Sequence, residues 1–158
     1  LDVIYGIPRK PGRSGDWEGE TAAKQNLDAP APETQRATVL VVEDEESIAE
    51  TLAMIVEDAG YTPIIARNGR EALSMAMRYH PRLIITDLMM PYLSGADFIV
   101  AARANAAAEG YPFPPVIIVT AASRTRAEQV GGDVVITKPF DVMKVEAVIL
   151  QLIEGQPH

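Results

Sequence analysis

The stretch "LIITDLMMP", Leu83 to Pro91, decides how this chain is read. A short apolar run bounded by a proline has the pattern of a strand buried on both faces, as strands of parallel sheets are. It delivers a carboxylate, Asp87, to the lip of the core, followed by Met89 and Met90. A charge at that position is costly unless other groups converge on it.

Working outward, the same texture repeats from Ala37 onward. "TVLVV" (Thr38 to Val42), "TPIIA", "VIIVT" and "VVIT" read as further strands. Between them "EESIAETLAMIVEDAG" sets Ile48, Leu52, Ile55 and Val56 at helical spacing, with Gly60 placed to end the helix. "GREALSMAMRYH" is helical and stops before Pro81, and "GADFIVAARANAAAEG" is broken by Gly110 and the prolines beyond it. A short helix is expected over "SRTRAEQV". A last one is expected over "DVMKVEAVILQLIEG", capped by Asp141, with Val142, Val145, Val148, Ile149 and Leu152 as its buried stripe. Five strands alternating with five helices imply a doubly wound α/β fold, a parallel sheet with helices on both faces.

Residues 1–36 differ. Prolines, glycines and mixed charges without apolar periodicity predict a flexible extension or linker, with Ile4, Tyr5, Ile7 and Trp17 as exceptions. The domain is expected over 37–155, with a tail at 156–158. The start at Leu1 rather than a methionine suggests a start set by processing or by a boundary in the chain, which leaves a larger parent protein open. The chain has no cysteine, which removes disulfides, thiol catalysis and thiolate metal sites, and a soluble, cytoplasmic protein is the expectation. A net charge of −8 argues against a nucleic-acid surface, and no apolar run is long enough to span a membrane.

In such sheets ligands bind outside the carboxyl ends of the strands. Those ends carry Glu43, Asp44 and Glu45 after strand one, Asp87 after strand three, Thr120 at strand four and Lys138 after strand five. If strands one, three, four and five are neighbours, these side chains share one pocket. Clustered carboxylates repel unless a cation joins them, and hard oxygen ligands with open positions suit Mg²⁺. With two histidines and no cysteine, zinc or copper is not expected. A metal beside a carboxylate, a hydroxyl and an ammonium suits phosphoryl transfer. In that chemistry Asp87 is the nucleophile, Asp44 a direct metal ligand and Glu43 a ligand through water, while Thr120 and Lys138 bind phosphoryl oxygens. Glu45 and Glu46 read as a solvated helix start, favoured by the helix dipole.

Together "VLVVEDE", "GYTPIIARNGREAL", "IITDLMMPYLSG", "VIIVTAAS" and "ITKPFD" resemble the receiver domain of two-component response regulators, over about Val39 to Ile153. The resemblance implies a flavodoxin-like strand order 2-1-3-4-5, which periodicity does not supply. It implies Asp87 as phosphoacceptor, Glu43 and Asp44 as the acidic pair, Thr120 as the switch hydroxyl and Lys138 as the partner lysine. The Met89 carbonyl becomes a metal ligand, and Lys138–Pro139 is expected to be cis. It further implies a histidine kinase or histidine phosphotransfer protein as phosphoryl donor, an output partner whose binding changes, and no catalysis beyond the domain's own phosphorylation and dephosphorylation.

Two departures stand out. Val135 occupies the position three before Lys138, where the family often has an aromatic residue, and the span from Thr120 to Lys138 is short, predicting a shortened fourth helix. Both motivate an alternative, a constitutive receiver-like scaffold with weakened switching. A flavin binder of the same fold class would need a Gly- and Ser/Thr-rich phosphate loop after strand one, where the acidic "EDEE" stands instead.

Overall fold

The computed structural model describes residues 36–156. The expected extension over residues 1–36 lies outside them except for Arg36, as do the last two residues of the expected tail.

The elements are β1 (Thr38–Val42), α1 (Glu46–Asp58), β2 (Thr62–Ala66), α2 (Gly69–Tyr79), β3 (Leu83–Thr86), α3 (Gly95–Glu109), β4 (Val116–Thr120), α4 (Arg124–Glu128), β5 (Val134–Thr137) and α5 (Val142–Glu154). All five strands pair in parallel, in the order β2-β1-β3-β4-β5. Pro63 is tolerated because β2 is an edge strand. The continuous apolar reading of the central strands is explained by two cores. Val39, Val41, Leu83, Ile85, Ile117, Val119 and Ile136 face α1 and α5. Leu40, Val42, Ile84, Ile118 and Val135 face α2, α3 and α4, where Phe98 is fully buried.

Helix starts follow local side-chain chemistry. Asn68, Ser94, Ser123 and Asp141 each accept a hydrogen bond from a backbone N–H of the first turn that follows, satisfying a donor the helix cannot. His80 ends α2 in the left-handed region at φ 47°, and its ring stacks on Tyr111 with centroids 4.1 Å apart. The fourth helix is short as expected, five residues from Arg124 to Glu128.

One part of the expected packing is corrected. Val142 is 48% exposed, and the buried stripe of α5 is Val145, Ile149 and Ile153. Val142 is the first residue of a helix that starts at the carboxyl edge of the sheet, so its turn overhangs the strands and finds no apolar surface to cover it. Val148 and Leu152 are half-buried at the margin.

Register is what positions the site. Val42 pairs with Thr86, and Thr120 with Thr137. The ladder continues past the strand ends: Glu43 N–H donates to Ala66 O (3.0 Å), Asp87 N–H to Val42 O (3.1 Å) and Lys138 N–H to Thr120 O (2.9 Å). These bonds fix the backbones of three charged residues, so burial of their side chains does not depend on mobile loops.

Candidate phosphoacceptor site

Lys138 joins the two buried carboxylates. Its Nζ donates to Glu43 Oε1 at 2.8 Å and to Asp87 Oδ2 at 2.9 Å. Glu43 is 1% exposed and Asp87 6%. The second oxygen of each is also occupied. Glu43 Oε2 accepts from Glu45 N–H at 3.1 Å, and Asp87 Oδ1 accepts from Leu88 N–H at 2.6 Å and Met89 N–H at 3.2 Å. Among the described residues no buried side-chain nitrogen or oxygen is left without a partner.

Asp44 is exposed at the rim. One carboxylate oxygen from each of Glu43, Asp44 and Asp87 lies within 4.8 Å of the others. Three carboxylates against one ammonium leave an excess of two negative charges. Two buried ligands, one exposed ligand and a purely oxygen donor set fit a hard divalent cation that keeps some of its water. The residues present could therefore hold such an ion.

The electrostatics reflect this imbalance. Burial pushes the Glu43 carboxyl above its ordinary 4.5, with the Lys138 hydrogen bond opposing it. Burial pulls the Lys138 ammonium down, but its hydrogen bonds to Glu43 and Asp87 and their attraction outweigh that, leaving it above 10.5. An ammonium 2.8 and 2.9 Å from two carboxylates stays charged at neutral pH.

Of the residues expected here, Glu43, Asp44, Asp87 and Lys138 come together directly. Thr120 is fully buried at the end of β4, where its Oγ1 accepts from Ala122 N–H at 3.2 Å. Met89 is tied in through its N–H, while its side chain is 56% exposed. The Lys138–Pro139 bond is cis, as the resemblance implied. Ile48 packs against the core rather than standing free.

Sequence reasoning missed how tightly α3 docks beneath Asp87. Gly95 N–H donates to Leu88 O at 3.0 Å. A Cβ at Gly95 would collide with the Asp87 carbonyl oxygen and lie 2.8 Å from Leu88 Cα. Gly95 is thus required by close backbone approach, and the signal was its place directly after the capping Ser94. The Leu88 and Met89 amides were equally invisible, because backbone donors carry no sequence signature.

The response regulator receiver domain family matches residues 39–150. Among curated relatives, a probable transcriptional regulator ycf27 of Porphyridium aerugineum is 37% identical over 117 residues, covering 72% of this chain and 46% of that protein. The response regulator Rre1 of Synechocystis is 32% identical, covering 75% and 52%. The chain spans about half the length of the curated relatives it matches. Among solved structures, the chemotaxis protein CheY4 of Vibrio cholerae superposes with a TM-score of 0.66 at 30% identity, covering 74% of this chain and 98% of that one. The signal receiver domain of a signal transduction histidine kinase from Syntrophus aciditrophicus gives 0.66 at 32% identity, covering 75% and 91%. With the family matched across most of the described residues and the same fold found in its solved members, the chain belongs to the response regulator receiver domain family.

Proposed function

We propose that this domain accepts a phosphoryl group on Asp87 from the phosphohistidine of a histidine kinase or histidine phosphotransfer protein, and that the phosphorylated form changes its affinity for an output partner. The observation that carries this reading is the Lys138 bridge between Asp87 and Glu43, with Asp44 at the open side of the same carboxylate cluster.

Among the described residues Asp87 Oδ1 is engaged by two amides and Oδ2 by Lys138 alone, so Oδ2 keeps the freer lone pair for attack on phosphorus. A P–O bond forms as the P–N bond breaks, and the departing imidazole takes up a proton from water. The Leu88 and Met89 amides hold the carboxylate plane still during the attack. Lys138, already beside Oδ2, is placed to follow the charge onto a phosphoryl oxygen. Thr120, now bonded to Ala122 N–H, supplies a hydroxyl from the neighbouring strand end. Mg²⁺, held by Glu43, Asp44, Asp87 and the Met89 carbonyl, would neutralise the transferring oxygens. The only chemistry proposed is the domain's own phosphorylation and dephosphorylation.

The setting we propose is cytoplasmic, in keeping with a chain that has no cysteine. Among the described residues no helix is long and apolar enough to cross a membrane. With a net charge of −8, direct contact with nucleic acid is not assigned to this domain. Incubation with Mg²⁺ and acetyl phosphate, followed by intact-mass analysis, should add one phosphoryl group to the wild type and none to Asp87→Asn. A wild type that stays unmodified, and that also fails to bind beryllofluoride with Mg²⁺, refutes the proposal.

A second reading rests on β5. Val135, paired with Ile118 in the sheet and 9% exposed, belongs to the same apolar core as Ala127, so no aromatic ring stands there to follow a moving hydroxyl. Under that reading the domain is a constitutive scaffold. Partner affinity would then shift by less than about 0.5 kcal/mol on phosphorylation, against roughly 1 to 3 kcal/mol for ordinary allosteric coupling.

A further inference from the structure

Resting on the phosphoacceptor reading, we propose that Arg126 is a second phosphoryl-binding cation, reaching the group on Asp87 from the α4 side of the pocket. Arg126 lines one shallow groove with Asp44, Leu88, Met89, Met90, Pro91 and Ser94; Asp44 belongs to the carboxylate cluster, and Leu88 and Met89 carry the amides that hold Asp87. Neither Asp87 nor Lys138, which follows β5, lines that groove, so Arg126 approaches the cluster from its Asp44 side.

The short fourth helix makes this arrangement. The Ser123 side chain caps α4 by accepting from Arg126 N–H at 3.2 Å, which fixes Arg126 in the first turn, six residues beyond Thr120. Among the described residues the other arginine of the helix, Arg124, pairs with Glu128 at 3.7 Å, and Arg126 has no carboxylate partner. Arg126 is exposed and borders a groove that also holds Asp44, a carboxylate of the cluster.

Charge balance gives the guanidinium its task. Three carboxylates and one ammonium leave two negative charges, which a divalent cation cancels. Converting the Asp87 carboxylate into its phosphoryl ester exchanges one negative charge for about two, so the loaded site carries an excess of roughly one. A guanidinium matches that excess in charge and, through its planar fork, in geometry. Before loading, the same cation opposes metal binding, so it acts with opposite signs on the two ligands.

That opposition is the test. Beryllofluoride binding in saturating Mg²⁺, and Mg²⁺ binding alone, are measured by calorimetry on the wild type, Arg126→Ala, Arg126→Lys and Arg124→Ala. Arg126→Ala should weaken beryllofluoride binding by about 3- to 10-fold, the scale of one partly screened charge, while Mg²⁺ alone binds as tightly or more tightly. Arg126→Lys should fall between, and Arg124→Ala should match the wild type in both. Unchanged beryllofluoride affinity in Arg126→Ala overturns the inference while leaving the phosphoacceptor reading intact. Parallel loss of both affinities, or the same loss in Arg124→Ala, also overturns it by showing a structural role for α4. A wild type that binds no beryllofluoride removes the phosphoacceptor reading, and this inference with it.

Discussion

Replacing Lys138 by methionine tests the electrostatics of the site most directly. The substitution keeps much of the side-chain volume and removes the ammonium shared by Glu43 Oε1 and Asp87 Oδ2. Two carboxylates that are 1% and 6% exposed are then left facing each other without a counter-charge. Removing one partner of a buried ion pair costs about 3 to 5 kcal/mol. The Lys138 side chain is 15% exposed and the Asp44 side is open to water, so the lower part of that scale applies. We expect a loss of about 3 to 4 kcal/mol at pH 7 in EDTA, measured by urea denaturation, which leaves a typical domain still folded.

Magnesium should reverse part of that loss. With one local positive charge fewer, the variant should bind Mg²⁺ about tenfold more tightly, and saturating Mg²⁺ should stabilise it by about 1.4 kcal/mol more than the wild type. The sign with pH is also determined. Burial already holds the Glu43 carboxyl above 4.5, and losing Lys138 removes its strongest opposing influence. A carboxyl raised in the folded state contributes stability that is fully present below its unfolded pKa and lost as pH rises through its folded pKa. The deficit of Lys138→Met should therefore be smallest near pH 4.5 and grow toward neutrality. A deficit below about 1 kcal/mol in EDTA, or equal stabilisation of both proteins by Mg²⁺, would refute the reasoning.

Three further outcomes follow from the geometry. Val145→Ala and Val142→Ala make the same change three residues apart on α5, but Val145 is fully buried and Val142 is 48% exposed. Chemical denaturation should show a loss of about 2 kcal/mol for the first and less than about 0.5 kcal/mol for the second. Gly95→Ala drives a methyl group into the Asp87 carbonyl; it should cost about 1 to 3 kcal/mol in a thermal or urea melt and slow acetyl phosphate labelling more than a surface substitution such as Val142→Ala. Burial and Glu154 raise the Tyr61 phenol above 10.0, while Lys138 sits above 10.5. Both groups therefore contribute stability that is fully present below about pH 10 and lost as pH rises through their folded values. Urea midpoints should fall on that alkaline limb, and less steeply in Tyr61→Phe.

Local pattern carried most of the architecture. Each strand is a short β-branched run between turn residues, four of the five helices start at a capping side chain, and the longer helices carry spaced apolar residues, so the ten elements are readable without long-range information. The charged residues at the strand ends were legible for the same reason, since a carboxylate directly after "LIIT" conflicts with its apolar context unless it has partners. The exposed Val142 was not legible, because helical spacing marks a face but not where the sheet beneath it ends.

Strand order was beyond periodicity, because β1 beside both β2 and β3 is a choice among crossovers that no single segment encodes. That choice brings Glu43 and Asp87, 44 positions apart, onto the same ammonium, and it turns scattered acids into a cluster within 4.8 Å. The amide cradle of Asp87 and the tight seat of Gly95 belong to the same class. Each depends on backbone atoms meeting across elements, and those atoms are the same in every residue. Composition and spacing name the groups that carry charge; only the packed sheet decides which of them meet at one ammonium.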